Sequence, residues 1–577
     1  MDYMDKYNFW LTSPQFDEET RKELEAIKGN DLEIKDRFYK DLEFGTGGLR
    51  GIIGAGTNRM NKYTVGKATQ GLSNYILKNN PEGKAMGVAL AYDSRNMSPE
   101  FAEMSALVLN ANGIKAYIFD ELRPTPELSF AVRHLGCTAG IVVTASHNPP
   151  EYNGYKVYWA DGAQVVAPKD EGIIGEVNSI TDFSAIKMMD KAEAVKNGLF
   201  NVVGKEIDDA FVENIKKQAV RPEEVIKAKD MKIVYTPLHG AGNKNVRRVL
   251  AEVGFENVYV VPEQEKPDGT FPTVGYPNPE DPKAFTLAIK LAQEKQADII
   301  IGTDPDSDRI GVVVKDNNGN YDILTGNMTG ALLTEYVLGG RKEKGTLPEN
   351  AAMVKTIVTT EMVRAIAENY GVKLFDVLTG FKFIGEKIKQ FEEDHSYSYV
   401  FGFEESYGCL SGTYARDKDA VGASMLVCEM AAYYKNKGMT LYDGLMELYN
   451  KYGFYKEGVK SVTLKGVDGA EQIQKIMEYL RNNVPSDFAG NKVIWAKDYK
   501  TGVFKNLLTG ENEASTLPKS NVLYYNLDDR AWLCVRPSGT EPKIKFYMGV
   551  KADSLEKAVE KTDALVASVD ELLKKIL

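Results

Sequence analysis

A basic excess, a metal-binding cysteine pattern and long apolar runs are all missing from this 577-residue chain. Its 71 lysines and arginines face 82 aspartates and glutamates, a formal net charge of −11 at pH 7. That leaves no general basic face to neutralise nucleic-acid phosphates, so no nucleic-acid partner is expected. Anionic small molecules stay open, because they need only a few local cations. The four cysteines, Cys137, Cys409, Cys428 and Cys534, form no C-x-x-C pair. Neither a disulfide framework nor a zinc site is indicated, and a reducing, cytoplasmic setting fits. No apolar run is long enough to span a bilayer. The opening MDYMDKYNFW is acidic where a secretory signal is basic, so neither membrane nor export is expected. A Walker A loop and a G-x-S-x-G elbow are absent too.

What is present describes an ordinary globular protein, 43% hydrophobic and 27% charged. At this length the chain should hold about three to five domains. Residues 1–40 scatter Trp10, Phe16, Leu24 and Ile27 among charges, which suits short amphipathic helices lying on another surface. A strand–helix–Gly–strand pattern then occurs three times, over Met86–Phe119, Met231–Val261 and Ala351–Leu378. It predicts three related mixed-sheet α/β domains with right-handed crossovers and largely parallel strands. From about residue 455 the pattern changes to an amphipathic helix and short hairpins, a smaller C-terminal α+β domain. The expected division is 1–40, 41–208, 209–325, 326–454 and 455–577.

Polar loops punctuate these units. FGTGGLRG (Phe44–Gly51) has Arg50 where a dinucleotide fingerprint needs its third glycine. With Thr46 and Arg50 it is either an anion-binding loop or a flexible connector. The apolar run of IVVTASHNP (Ile141–Pro149) places Ser146 on a loop at the end of a strand, where ligands of open α/β sheets collect. By itself that segment is either a polar turn or the seat of a nucleophile. Lys156, among the aromatic residues of EYNGYKVYW, is either a surface lysine on an edge strand or a residue aimed from a defined face. In ADIIIGTDPDSDRIGVVV, Asp304, Asp306 and Asp308 alternate between two apolar strands. Three carboxylates so close repel one another unless a hard divalent cation intervenes. An EF-hand is excluded, because Arg309 stands at loop position 6 and Lys315 at position 12. LTGFKFIG (Leu378–Gly385) reads as a short glycine-containing loop. FGFEESYG offers Glu404, Glu405 and Ser406 at a strand end, groups suited to vicinal sugar hydroxyls, with Arg416 and Lys418 following. RPSGTEP collects Arg536, Ser538, Gly539 and Thr540 on one turn between strands, a phosphate cradle.

A hydroxyl nucleophile, a divalent-metal loop, a polyol-reading loop and a separate phosphate cradle are what phosphoryl transfer on a sugar phosphate requires. TASHNP, DPDSDR, GFEES and RPSGTEP, in that order and spread over nearly the whole chain, resemble the α-D-phosphohexomutase family. The resemblance implies four domains around a central cleft and a serine that rests phosphorylated, here Ser146. It implies Mg²⁺ held by Asp304, Asp306, Asp308 and the phosphoserine, and a sugar bisphosphate, glucose 1,6-bisphosphate, as intermediate and activator. His147 and Lys156 match positions linked to proton transfer, and Arg309 a position against the phosphoserine. Thr46, Arg50, Gly380, Lys382, Glu404, Ser406, Lys418, Arg536, Ser538, Gly539 and Thr540 match substrate positions, with Gly380 and Lys382 at the anomeric contact. The implied activity interconverts glucose 1-phosphate and glucose 6-phosphate; mannose or pentose phosphates are the alternative. Gly47 stands where many members have serine, which points to the branch that includes phosphopentomutases. The expected partners are small sugar phosphates, acted on by a monomer or weak dimer. A phosphosugar phosphatase is disfavoured because four domains suit closure and exclusion of water. A non-catalytic sensor is disfavoured because it needs no reactive serine beside a metal loop.

Overall fold

Strands buried on both faces dominate the central part of the chain, and they organise it into sheets covered by helices. The structure, a computed structural model, describes residues 2–45, 47–464, 467–538 and 543–577. Two units are distinguished. The first comprises residues 1–325, 381–401 and 406–440; the second comprises residues 326–380, 402–405 and 441–577.

In the first unit, strands β1 (Gly48–Ile52), β2 (Val88–Tyr92), β3 (Ala116–Phe119), β4 (Ala139–Val143), β5 (Tyr152–Trp159) and β6 (Phe200–Val203) form one sheet in the order β1-β5-β4-β2-β3-β6. The pairs β4–β2, β2–β3 and β3–β6 are parallel, while β5 runs antiparallel to both β4 and β1. A second sheet takes β7 (Lys232–Thr236), β8 (Asn257–Val260), β9 (Ile299–Thr303), β10 (Ile310–Lys315) and β11 (Tyr321–Leu324) in the order β11-β10-β9-β7-β8. Here β8, β7 and β9 are parallel, and β10 and β11 reverse. The two sheets share a device. Ser146 follows β4 and Asp304 follows β9, and each of those strands, fully buried, is where parallel pairing gives way to antiparallel.

Separate apolar clusters hold the layers. Val65, Leu72, Phe101, Leu109, Ile141 and Val157 belong to the core of the first sheet, and Val234, Phe285, Ala288 and Ile300 to that of the second. The N-terminal helices Tyr3–Thr12, Glu18–Ala26 and Asp31–Phe38 are capped by Asp2, Asp17 and Asn30. They enclose their own cluster around Trp10, which stacks on Phe16 at 4.2 Å and meets Tyr63 and Phe183 edge-on. Among the described residues, no helix is long and apolar enough to cross a membrane.

In the second unit, β12 (Ala351–Thr356) and β13 (Lys373–Val377) pair in parallel. The chain then forms β14 (Ser398–Glu404), of which residues 402–404 fall in this unit, and β15 (Gly408–Ser411), which falls in the first, before the C-terminal sheet. That sheet is built from β16 (Phe454–Thr463), β17 (Asp487–Phe488), β18 (Asn491–Asp498), β19 (Val503–Asn506), β20 (Asn512–Ala514), β21 (Leu523–Leu527), β22 (Trp532–Pro537) and β23 (Lys543–Ala552). Its order is β16-β23-β22-β21-β18-β19-β20, with β17 beside β18, and the described pairings are antiparallel. Helices Val467–Asn482 and Leu555–Ile576 contribute Ile476, Leu480, Leu565 and Val569 to its core.

Three local expectations change. Gly48–Ile52 is a strand, not a connector, because β5 offers it a full ladder. Consequently β5 lies between β1 and β4, and Lys156 is not on an edge strand. Phe381–Asp394 is a helix, so the LTGFKFIG loop ends at Gly380 and Lys382 sits in the first helical turn. Phe381, Ile384, Ile388 and Phe391 recur at helical spacing on its buried side.

Candidate active site

The Ser146 loop is shaped by its backbone before any chemistry is considered. Ser146 has φ +53°, a left-handed conformation uncommon for a residue with a Cβ. Such a conformation persists only where the surroundings over-determine it, and here they do. Ser146 N–H donates to Thr144 Oγ1 at 2.8 Å, and Thr144 Oγ1 donates to Asp93 Oδ2 at 2.6 Å. Asp93 also accepts from Arg95 N–H and Ser98 Oγ. The fully buried Arg95 guanidinium gathers the loop by its carbonyls, donating to Ser146 O at 2.5 Å, Pro149 O at 2.8 Å, Tyr152 O at 3.0 Å and Asn148 O. Gly154 lets β5 pass behind the loop, since a Cβ there would meet Thr144 O at 2.4 Å.

The loop after β9 is anchored in the same manner. Its carbonyls at Pro305, Asp306 and Ser307 accept from the N–H groups of Ala241, Thr125 and Ala420, which belong to three different segments. Gly240 approaches so closely that a Cβ would lie 2.5 Å from Pro305 Cα. Asp304, Asp306 and Asp308 are buried, with one carboxylate oxygen of each lying within 4.8 Å of the others. Burial and the two neighbouring carboxylates push Asp304 well above the usual carboxylate range. Asp308 is pushed up by burial and Asp306, against the pull of Lys418 and Lys156. Burial would raise Asp306 too, but Lys156, with Thr125 also donating to it, holds it below the usual range. The buried Oδ1 atoms of Asp306 and Asp308 accept no hydrogen bond. Closely packed carboxylates with unshared oxygens fit a hard divalent cation, which would relieve their repulsion.

The two loops meet. Ser146 Oγ donates to Asp304 Oδ2 at 2.8 Å and lies 3.1 Å from His147 Nδ1. Burial, together with Arg309 and Arg50, pushes the His147 imidazolium toward its neutral form. Lys156 Nζ lies 3.0 Å from Asp306 Oδ2 and 3.7 Å from Asp308 Oδ2, and Lys418 Nζ 3.1 Å from the same Asp308 oxygen. Asp417 holds Lys418 at 3.2 Å and accepts from Tyr158 Oη at 2.5 Å. Arg309 pairs with Glu280 at 2.6 Å, and Arg50 reaches Asn148 Oδ1 at 3.5 Å. Burial lowers the Lys382 pKa against the pull of Asp170 and Glu386. The structure thus gathers Ser146, His147, Lys156, Lys418 and the three aspartates into one nest, with Arg309 and Arg50 beside it. Ser406, in the same unit, lies on the turn after β14.

In the second unit, Glu404 Oε1 accepts from Gly380 N–H at 2.9 Å. Glu405 Oε2 accepts from Thr356 Oγ1 at 3.1 Å and Thr359 Oγ1 at 3.3 Å. Beneath them the fully buried Lys355 donates to Thr359 O and pairs with Glu361 and Asp376. Arg536 is half-buried on β22 opposite Lys545, and Ser538 N–H donates to Lys543 O at 2.7 Å. Thr46, Gly539 and Thr540 lie outside the described residues. Asp93, Arg95, Thr125 and Lys355 lie outside the motifs singled out in the sequence. The available signals were an Asp-x-Arg at the end of an apolar strand and a threonine between two prolines in RPTPEL.

Comparison with known proteins gives this geometry a context. Models of the phosphoglucomutase/phosphomannomutase α/β/α domains I, II and III match residues 41–183, 209–319 and 325–452. The chain is 37% identical over 521 residues to a phosphoglucomutase of Staphylococcus haemolyticus, covering 90% of this chain and 92% of that one. It is likewise 37% identical over 539 residues to a phosphoglucomutase of Staphylococcus aureus strain MSSA476, covering 93% and 95%. Among solved structures, parafusin of Paramecium, a phosphoglucomutase in its open form, aligns with a TM-score of 0.68 at 17% identity, covering 93% of this chain and 95% of that one. A phosphoglucomutase/phosphomannomutase family protein of Burkholderia thailandensis aligns with a TM-score of 0.62 at 19% identity, covering 92% and 97%. At those identities the structural likeness speaks for the fold, and the sequence matches carry the assignment: this chain is a member of the α-D-phosphohexomutase family, the phosphoglucomutases and phosphomannomutases.

Proposed function

We propose that the chain is a phosphoglucomutase, interconverting glucose 1-phosphate and glucose 6-phosphate through a phosphorylated Ser146 and glucose 1,6-bisphosphate, which also serves as activator. The observation that carries this reading is the hydrogen bond from Ser146 Oγ to Asp304 at 2.8 Å, within a buried nest of three carboxylates and two lysines. Asp304, Asp306, Asp308 and the phosphorylated Ser146 would hold Mg²⁺, which when bound offsets the charge of the phosphoryl group.

Ser146 carries the phosphoryl group between two positions on the sugar. In the first transfer the P–Oγ bond breaks as a bond to a sugar hydroxyl oxygen forms. In the second, the other P–O bond of the bisphosphate breaks as P–Oγ forms again, so the enzyme ends as it began. His147, whose Nδ1 is 3.1 Å from Oγ and which burial pushes toward its neutral form, relays the proton both ways: the proton shed by the attacking sugar hydroxyl passes to Oγ in the first transfer, and the Oγ proton passes to the freed sugar oxygen in the second, so His147 ends neutral. Lys156 and Lys418 hold charge and position at the carboxylates, and Arg309 and Arg50 flank the serine loop. Glu404 and Ser406 read sugar hydroxyls, and Gly380 and Lys382 face the anomeric end. Arg536, Ser538, Gly539 and Thr540 hold the phosphate that is not in transfer, and Thr46 is a further substrate contact.

The same reading divides the chain into a helical extension (1–40), three α/β domains (41–208, 209–325, 326–454) and a C-terminal domain (455–577). It describes a cytoplasmic monomer or weak dimer that acts on small sugar phosphates and needs neither nucleic acid nor membrane. Rates measured side by side on glucose, mannose and ribose 1-phosphates test it. The fastest isomerisation is expected on glucose 1-phosphate. A faster rate on the mannose or ribose ester would move the assignment to that substrate, and release of inorganic phosphate without isomer would make the protein a phosphatase.

A further inference from the structure

We infer that Thr125 is a positioning residue that fixes which oxygen of Asp306 faces the metal site. The inference rests on the reading of Asp304, Asp306 and Asp308 as metal ligands. Thr125 is the first residue of the helix Thr125–His134, whose N-cap is Pro124 and whose second residue is Pro126. The prolines remove two of the N–H groups that a helix N-terminus leaves unpaired. Glu127 N–H turns back to Pro124 O at 3.1 Å, whereas Thr125 N–H points out of the helix and donates to Asp306 O at 2.9 Å. The hydroxyl of the same residue donates to Asp306 Oδ2, also at 2.9 Å. One threonine therefore grips both the backbone and the side chain of one aspartate.

The consequence lies in how the Asp306 carboxylate is shared. Oδ2 is saturated by the Thr125 hydroxyl and the Lys156 ammonium at 3.0 Å, while Oδ1 is buried and accepts no hydrogen bond. With Oδ2 held from two directions the carboxylate cannot turn, and Oδ1 is left to a cation. Without the hydroxyl, Lys156 is the one side-chain donor left on Oδ2, and rotation lets either oxygen pair with it in competition with a metal. The helix is itself anchored to the segment beyond β7, through Asn245 Nδ2 donating to Glu127 Oε2 at 2.6 Å. The grip on Asp306 thus has a fixed base.

Groups that orient a ligand carboxylate typically change metal affinity about 10- to 100-fold when removed. The test is a titration of the full-length protein with Mn²⁺, followed by the electron paramagnetic resonance of the free ion, at matched phosphorylation of Ser146. Thr125→Val, which keeps the shape and removes the hydroxyl, should weaken Mn²⁺ binding about tenfold or more. Thr125→Ala, which adds no bulk, is titrated in parallel so that a misfolded valine variant does not decide the matter. Thr125→Ser should restore the affinity to within about twofold of the parent, since it keeps the donor. Parental affinity in folded Thr125→Val or Thr125→Ala overturns the inference. Asp308→Asn separates the two layers: if it leaves Mn²⁺ binding intact, or the parent binds none, the metal-site reading itself fails.

Discussion

Arg95 offers the sharpest perturbation of the serine loop, because one guanidinium holds four of its carbonyls and touches nothing that reacts. In Arg95→Lys the charge stays beside Asp93, but an ammonium at that distance reaches two of the four oxygens at best. Two lost charge-assisted hydrogen bonds, at about 1.5–3 kcal/mol each, predict a loss of about 3–6 kcal/mol. For a unit of roughly 380 residues that lowers the calorimetric midpoint by about 4 °C or more. The effect on catalysis is separable. If Ser146 is the nucleophile, a drift of its loop by about 1 Å costs about 10²-fold in rate, and kcat should fall while KM changes little, because the proposed substrate contacts lie on other segments. Calorimetry of the full-length protein and steady-state kinetics on glucose 1-phosphate read both quantities. An Arg95→Lys enzyme that melts within about 1 °C of the parent and keeps its kcat would refute the claim that this clamp sets the geometry of Ser146.

Asp419, buried at the start of the helix Ala420–Asn436, is raised by burial to about 6 from an ordinary 3.8. A carboxyl whose folded-state pKa is raised favours folding when protonated. Stability should therefore fall as pH rises from about 4 to about 6, by roughly 3 kcal/mol in all. Asp419→Asn, which can still cap the helix, should flatten that portion of the stability–pH curve; a slope equal to the parent's would contradict the assignment. Trp10→Ala, which empties the stacked site on Phe16, should destabilise the N-terminal helices by about 3–5 kcal/mol, read as early proteolytic cleavage within residues 2–40. Cleavage at the parent's rate would show that the aromatic cluster does not hold them.

Much of the site was legible because its loops announce themselves chemically. An acidic D-x-D-x-D between two apolar strands and a TASHNP at a strand end have few structural uses, and the fold places both at equivalent strand ends. Arg95 and Thr125 left only weak signals, for the opposite reason. An arginine after a strand or a threonine between prolines is ordinary in any loop, and only the folded chain shows that one meets four carbonyls and the other an aspartate carboxylate. Lys156 shows the limit of local reasoning about strands. Its alternating neighbours predicted β5, but whether β5 had one partner or two depended on β1, whose glycines conceal its strand character. Lys382 shows a period obscured by composition, since Gly380 and Gly385 suggested a loop where the apolar spacing was helical.

The central claim is that Ser146 stores a phosphoryl group between two transfers. Intact mass and phosphopeptide mapping of the protein as purified, with Ser146→Ala beside it, test this most directly. The account predicts one phosphate, on Ser146, that exchanges with labelled glucose 1,6-bisphosphate, and an alanine variant with neither phosphate nor mutase activity. Phosphate on another residue, or isomerisation surviving in Ser146→Ala, would contradict it.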